Sequence, residues 1–474
     1  MQVQRKRSSS NQGVSRMSLK NEPFNDNPIT RRTALKAGAA ALVAMGLPSF
    51  VSAAPEKKPP NILFILSDDH RWDAMSCMGH PVIKTPHMDR LAREGVLFSN
   101  AFVTTSLCSP SRASFLTGQY AHNHGVKNNL TPWDNNNVTF LELMKKAGYS
   151  TGFIGKWHMP GQFPDLRGLD KFVSFTADGG QGRYFNCPLI VDGKETPSKK
   201  EYITEELTDY ANEFITDHKD DPFCLYLSHK AAHALFAPSA KFKHVYDGLD
   251  LPMPPESDSW VGLTNGNLFP SPFKQLYRNY LACLTELDHH IGSVLENLDE
   301  LGIADNTIVV YAGDNGHFWG EHHLNDKRWH YEESIRIPFI VRYPGMISNP
   351  GRRAEQMVLN IDLAPTLLEM AGVAVPDNMD GKSIFPEIKS SHARGRDAWL
   401  YEYFKDYAYN VPEHKAVRTN RFKYVEFVGR RKPELYDLAE DPKEMKNLYG
   451  TPSGMSVLPG LKKKLEHLKQ GETI

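Results

Sequence analysis

The chain has 474 residues, of which 40% are hydrophobic and 23% charged, with a formal net charge of -1. That length exceeds what one compact core usually holds and predicts a large domain plus a smaller one, while the near-neutral balance excludes a general attraction to nucleic acid. Five widely spaced cysteines, Cys77, Cys108, Cys187, Cys224 and Cys283, with no C-x-x-C pair, exclude a zinc cluster or a disulfide framework.

Residues 1–54 read as an export signal of the twin-arginine type. Arg31 and Arg32 precede a moderately apolar run rich in Ala and Gly, too weak for a membrane span, and Ser52, Ala53 and Ala54 offer a cleavage site. The expected location is periplasmic or extracellular, with membrane anchoring as the outcome if the segment is retained. Export by this route carries folded proteins, so any modification or metal loading that precedes folding belongs to the cytoplasm.

Residues 60–390 alternate short β-rich apolar runs with helical patterns, which predicts an α/β domain with a large, mainly parallel sheet sandwiched by helices. Four runs stand out: "NILFILSDDH" (Asn61 to His70), "TGFIGKWH" (Thr151 to His158), "FCLYLSHKAAH" (Phe223 to His233) and "TIVVYAGDNG" (Thr307 to Gly316). Each starts hydrophobic and ends in charged or metal-capable side chains. Ligands of open α/β sheets bind beyond the carboxyl ends of the strands, so these four ends predict an active-site edge. Helical patterns cover Met88 to Phe98, Thr139 to Tyr149 and Tyr280 to Gly302. Residues 395–474, with "WLYEYF", "AVRTNRFKYVEF" and a closing amphipathic run, predict a small C-terminal α+β domain.

The strand ends carry the chemistry. Asp68, Asp69, Asp314 and Asn315 are hard oxygen ligands with no zinc-like Cys or His pair beside them, which suits Ca²⁺ or Mg²⁺. One such pair alone reads as a turn or helix cap; two pairs ending two separate strands read as a site. Arg112, Lys156, His158, Lys230, His233 and Lys327 are the counterweight. Three carboxylates around one divalent cation leave one negative charge, and Arg112, Lys156 and Lys327 turn the sum to about +2, a pocket that favours an oxyanion. The stretch "SPSRASFLTG" reads as a helix start, with Pro110 in the first turn and Gly118 near the end, whose N-terminal amides and dipole add to that anion site. His122 and His124 belong either to the site or to a surface loop.

Cys108 opens "CSPSR", which matches the C-x-P-x-R signature whose cysteine is oxidised to formylglycine. From Asn61 to about Leu448 the chain resembles a type I, formylglycine-dependent sulfatase of the alkaline phosphatase-like superfamily. "ILSDD", "CSPSRASFLTGQYAHNHGV", "GKWH", "GDNGHFWGEHHLNDKRWHYEES" and "LYDLAEDP" follow in the family's order. The resemblance implies Asp68, Asp69, Asp314, Asn315 and oxidised Cys108 as ligands of one Ca²⁺, with Arg112 holding the formylglycine and His158 bonding its hydroxyl. Lys156 and Lys327 would bind sulfate oxygens, with Lys230 a further substrate contact, and His233 would protonate the leaving oxygen. The sequence departs from the family's frequent K-x-P-H by placing Ala232 before His233, which leaves the local backbone and the role of Lys230 open.

The implied partners are a formylglycine-generating maturation enzyme, the twin-arginine translocon and a sulfated carbohydrate, with no nucleic acid. The stretch after "GKWH" is similar to that of sugar-directed sulfatases, including the bacterial polysaccharide and N-acetylglucosamine-6-sulfatase groups. The expected reaction is hydrolysis of a sulfate ester on a sugar. The alternatives are a phosphate or phosphonate ester hydrolase of the same superfamily, or a non-catalytic relative that binds sulfated glycans with Cys108 still a thiol.

Overall fold

The computed structural model describes residues 58–160, 168–259, 273–407 and 409–471; the twin-arginine-type segment lies outside the described residues, as do residues 161–167 of the stretch after "GKWH". Among the described residues no helix is long and apolar enough to cross a membrane.

The strands in chain order are β1 (Asn61–Ser67), β2 (Val96–Phe102), β3 (Ser150–Gly155), β4 (Lys171–Ser174), β5 (Leu189–Val191), β6 (Lys194–Thr196), β7 (Phe223–Ser228), β8 (Thr307–Gly313), β9 (Phe318–Trp319), β10 (Asn325–Asp326), β11 (Phe339–Arg342), β12 (Arg352–Leu359), β13 (Ala398–Tyr403), β14 (His414–Thr419), β15 (Phe422–Phe427) and β16 (Glu434–Asp437). Ten of them form one mixed sheet in the order β12-β2-β11-β8-β1-β7-β3-β4-β5-β6. Its centre, β8-β1-β7-β3, is wholly parallel. β11 runs against both its neighbours, and β5 and β6 fold back at the far edge.

A strand buried on both faces has no polar side to show, which is why β1 reads as an unbroken apolar run. Leu63 and Ile65 face one core with the helices α1 (Pro86–Glu94), α5 (Ile203–Asp217) and α6 (Phe273–Glu300). Ile62, Phe64 and Leu66 face the other, with α2 (Cys108–Thr117), α4 (Phe140–Lys146) and α8 (Leu363–Met370). Between them, α3 (Ala121–His124) and α7 (Glu332–Ile335) are single turns, and α9 (Phe385–Lys389) follows α8. The helical pattern expected over Met88 to Phe98 is corrected: the helix stops at Glu94, and Val96 starts β2. At Gly95 the chain passes so close to β11 that an added Cβ would lie 2.2 Å from the Val341 carbonyl oxygen, so the glycine marks a packed turn into a strand.

The smaller C-terminal sheet, β13-β14-β15-β16, is antiparallel throughout. One face carries Leu400, Val417 and Tyr424 against Leu458, Leu461 and Leu465 of α10 (Pro452–Lys469). The other carries Trp399, Tyr401 and Val425 against Phe102 at the end of β2 and Leu107 and Trp329 of the large sheet's loops. Buried polar bonds fix the seat: the Glu402 amide donates to the Thr104 carbonyl at 3.0 Å, and Ser106 Oγ and Tyr401 Oη share a hydrogen at 2.8 Å. Truncating Leu465, which is fully buried, to Ala removes about 2–5 kcal/mol of stability.

Candidate active site

β8, β1, β7 and β3 lie side by side and parallel, so their carboxyl ends deliver Asp314 and Asn315, Asp68 and Asp69, Lys230 and His233, and Lys156 and His158 to one place. Close approach there is built into the sequence. Gly155 sits in the left-handed region at φ 117°, and a Cβ on it would lie 1.8 Å from the Ser228 carbonyl oxygen. No other residue lets β3 run against β7 and place the Lys156 amide 2.8 Å from that same oxygen. Asp69 and His158 also take positive φ, at 50° and 57°, a conformation unusual for residues with a Cβ and concentrated at functional sites.

The three aspartates are fully or almost fully buried, and each offers an oxygen within 4.8 Å of the others. Asp314 Oδ1 accepts from the Asp69 amide at 2.9 Å, and Asn315 Nδ2 donates to Asp69 Oδ1 at 2.7 Å. Cations surround them. Lys156 pairs with Asp68, Lys327 Nζ lies 2.5 Å from Asp69 Oδ1, and Arg112 Nη2 lies 2.8 Å from Asp314 Oδ2. Burial opposes charge on Asp68, but Lys156 and Arg112 hold its carboxyl well below the usual range. Asp69 has one fewer strong partner, and burial pushes it up to about 7.

Asp69 Oδ2 and Asn315 Oδ1 are buried oxygens without a hydrogen-bond partner. Two orphaned acceptors beside Asp68 and Asp314 form an all-oxygen donor set that a hard divalent cation fits. A second group, Asp69, His317 and Asp326, also has ligand atoms within 4.8 Å, and both nitrogens of the buried His317 lack a partner. The Lys327 ammonium, 2.5 Å from Asp69 and 3.7 Å from Asp326, already serves that second group.

Cys108 is the first residue of α2 and fully buried, with its thiol 3.8 Å from Asp68 Oδ1. Burial pushes the thiol up to about 12 in spite of Lys156 and Lys327, so the unmodified side chain is not a thiolate nucleophile at neutral pH. Arg112, one turn further along the same helix face, braces the strand ends rather than the thiol. It donates to Asp314, to the Lys156 carbonyl at 3.0 Å and to Ser228 Oγ at 2.6 Å. Of the first-turn amides expected to face an anion, that of Ser109 donates instead to Asn129 Oδ1 at 3.1 Å, and Pro110 has none.

His158 is held by Ser109, whose hydroxyl donates to its carbonyl at 2.6 Å. Burial, reinforced by Lys156 and Arg112, keeps its imidazole neutral. His233 is likewise pushed well below the ordinary histidine range by burial and Lys156. Its Nδ1 lies 2.5 Å from the Ala234 carbonyl oxygen, which can only accept, so the proton sits on Nδ1 and Nε2 faces Asp69 Oδ2 at 4.0 Å. The turn that carries it, with Ala232 where the resembling family has proline, is pinned to β1 by Asp68 N to Ala231 O and Ala232 N to Asp68 O, both 2.8 Å. Lys230 points to the Gln181 carbonyl at 3.1 Å and lies over the Tyr184 ring; burial and Lys156 lower its ammonium to about 8.

A cavity of about 580 Å³ opens over this floor, and of the sequence-derived residues His158, His233 and Lys327 line it. Asp68, Asp69, Cys108, Arg112, Lys156, Lys230, Asp314 and Asn315 lie behind them, 4% exposed or less. The sequence reading missed the remaining lining. Gln181, which bonds the Lys156 ammonium at 2.6 Å, lies in a glycine-rich loop with no motif. Arg328 flanks Lys327 in "NDKRW", and Asp406, Tyr407 and Tyr409 come from the loop after β13. His122, by contrast, leaves the site: its Nδ1 pairs with Glu402 of β13 at 2.9 Å, while His124 is buried against Ser114.

The sulfatase family profile matches residues 60–373, and that of the N-sulphoglucosamine sulphohydrolase C-terminal region matches residues 320–471. The chain is 32% identical to an N-acetylglucosamine-6-O-sulfatase of Bacteroides thetaiotaomicron, covering 86% of each sequence, and 30% identical to an ulvan-active sulfatase of Formosa agariphila, covering 84% of this chain and 78% of that one. A solved structure of a protein in complex with its substrate D-glucosamine-2-N,6-O-disulfate superposes with a TM-score of 0.82 at 32% identity, over 87% of this chain and 98% of the other. The phosphonate monoester hydrolase of Agrobacterium radiobacter shares the fold, with a TM-score of 0.73 at 24% identity over 87% and 95%.

Proposed function

The chain belongs to the sulfatase family and hydrolyses sulfate esters, and from that premise we propose that it removes sulfate from a sulfated carbohydrate using residue 108, oxidised to formylglycine, beside a bound Ca²⁺. The observation that carries this reading is the seat of Cys108: a buried, protonated thiol on a helix start, 3.8 Å from Asp68 and ringed by Asp314, Lys156 and Lys327. A plain cysteine there stays a protonated thiol even with Asp68 and His233 beside it, whereas a hydrated aldehyde supplies two geminal hydroxyls, one to attack sulfur and one to expel sulfate. Asp68, Asp69, Asp314 and Asn315 would hold the Ca²⁺, which supplies Lewis-acid polarisation of a sulfate oxygen and of the attacking hydroxyl.

The chain's own side chains do the rest. Lys156 and Lys327 bring two ammonium groups to the floor and place positive charge against sulfate oxygens. Arg112 holds Asp314, Lys156 and Ser228 in register, so the donors are in place before substrate arrives. His233, with its Nδ1 proton tied to Ala234, presents Nε2 to the pocket; in the neutral ring that atom carries a lone pair, so it first takes up a proton, from the attacking hydroxyl or from solvent, and then passes it to the departing sugar oxygen. His158, kept neutral and fixed through Ser109, offers a hydrogen bond beside residue 108.

Export by the twin-arginine route, after oxidation in the cytoplasm by a formylglycine-generating enzyme, belongs to the same proposal and rests on Arg31, Arg32 and the early cysteine motif. The experiment is the mass of the peptide containing Cys108, from cells competent for the maturation. A loss of about 18 Da, thiol to aldehyde, is the expected result. An unmodified thiol in fully active protein would overturn the mechanism. Comparing sulfate and phosphate esters of one phenol separates the phosphate or phosphonate hydrolase alternative, which requires a large preference for phosphate.

A further inference from the structure

The catalytic cavity continues into a surface that the reaction itself does not need. The whole chain carries a net charge of -1, yet "VGRRK", Val428 to Lys432, places three cations in five residues at the turn between β15 and β16, all three exposed. Register puts this turn beside a loop that lines the cavity. Tyr403 pairs with His414 and His414 with Phe427, so the loop after β13 and the turn after β15 leave the small sheet at the same end.

Side-chain contacts complete the path. Asp406 and Tyr409 line the cavity, and Arg328 lies 3.4 Å over the Tyr409 ring and 3.1 Å from Asp406. The next residue, Trp329, carries the Arg431 guanidinium 4.8 Å above its ring. Along the same loop, Lys127 lies over Phe404 and Lys405 over Tyr407. The acids along this edge are mostly engaged: Asp406 and Asp326 by Arg328, Asp178 by Arg183 at 3.3 Å and Glu434 by Arg431 at 2.9 Å, leaving Glu413. Lys127, Lys405, Arg430 and Lys432 thus give a net positive rim.

The rim is also apolar where a soluble protein normally is not. Leu130, Leu235 and Tyr407 are 81%, 59% and 82% exposed, and all three line the mouth of the cavity. Surface cations alone are ordinary; cations alternating with exposed apolar side chains around one opening match a ligand that is itself anionic and flat-faced. A sugar ring offers an apolar face to Tyr407, and sulfate groups along a chain offer charge to the lysines and arginines.

We propose that the rim residues Leu130, Leu235 and Tyr407 and the basic turn Arg430–Lys432 form a track for a polyanionic polysaccharide, so that the substrate is a sulfated chain whose further sugars lie across the loop end of the small sheet. The proposal rests on the reading that the substrate is a sulfated carbohydrate.

The test is a double charge reversal, Arg430→Glu with Lys432→Glu, remote from the strand-end floor. The folded variant, checked by its thermal melt, is compared with wild type on a heparin column and in turnover. The expected result is elution at markedly lower salt, a KM for heparin raised about tenfold, and kcat/KM for 4-nitrophenyl sulfate unchanged within about twofold. A control reversal of the exposed Lys462 and Lys463 on α10 leaves retention as in wild type. Unchanged retention and KM in the Arg430/Lys432 variant, or an equal loss in the control, would overturn the track. If wild type releases sulfate from no saccharide while the Arg430/Lys432 variant still loses heparin retention, the surface binds polyanions, but the carbohydrate sulfatase reading falls and takes with it the claim that the track holds the substrate.

Discussion

The floor of the cavity and its rim are built in opposite ways. The floor is four parallel strand ends whose charged groups are buried, mutually paired and fixed by backbone contacts such as that at Gly155. The rim is loops, 128–130, 178–181 and 404–411, with exposed lysines and apolar side chains. Buried charge is tolerated only when every group has its partner, so the floor's composition is tightly constrained. Loop groups in water carry no such constraint. The floor therefore sets the reaction and the rim sets which molecule is presented to it, and variants should separate along that line.

The largest separation comes from Cys108→Ala. Turnover should fall by more than about 10³-fold on every sulfate ester, monosaccharide or polymer, because the residue proposed to attack is gone while the rim is intact. Heparin retention should be unchanged. Residual turnover that differs between substrates would break the division, since a floor residue would then be reading the substrate. His233→Ala comes next. If Nε2 delivers a proton to the leaving oxygen, the loss should reach about 10²–10⁴-fold for a sugar alcohol and shrink for 4-nitrophenol, a leaving group that needs little help. Equal losses on both would remove His233 from the acid role and leave it a positioning residue.

These floor residues were legible because doubly buried parallel strands give continuous apolar runs that end abruptly in charge. "NILFILSDDH" and "TIVVYAGDNG" announce both the strand and the oxygen-bearing side chains at its end, and adjacent register brings the two ends together. The rim was not legible. Gln181 and Tyr407 reach the cavity only through tertiary placement of loops more than 200 residues apart, and nothing local marks a loop that faces a pocket from one that faces solvent. Arg112 was found as a site residue, but its actual partners, Asp314 and Ser228, follow from strand order rather than from its motif. The misread helix at Met88 to Phe98 has a similar cause: helical spacing runs on through Gly95, and only the nearby β11 backbone ends it.

The mounting of the rim has its own weakness. His330 and His414 are fully buried behind it, and burial lowers them to about 4 and about 3. Unfolded, each titrates near 6.5, so between these values the unfolded chain binds more protons and stability falls as pH drops below about 6.5. At pH 5 the loss is on the order of 2 kcal/mol for each. Urea midpoints at pH 7 and pH 5 should show it, and His330→Gln should flatten part of the dependence. Identical midpoints at the two pH values would mean that the two rings are not held neutral in the fold.

The smallest effect sharpens the comparison most. Tyr407 is 82% exposed at the mouth of the cavity, so removing its ring costs the fold little, and any loss reports on ligand alone. A sugar face stacked on an exposed aromatic ring is worth about 1 kcal/mol, which is a three- to tenfold change in KM. Tyr407→Ala should raise KM by that factor for a sulfated oligosaccharide, leave kcat within about twofold and leave 4-nitrophenyl sulfate turnover unaltered. Tyr407→Phe should recover the wild-type KM, because the face rather than the hydroxyl makes the contact. A fall in kcat for the aryl ester would mean that the loop after β13 reaches into the chemistry, and the boundary between floor and rim would then lie inside the cavity rather than at its mouth.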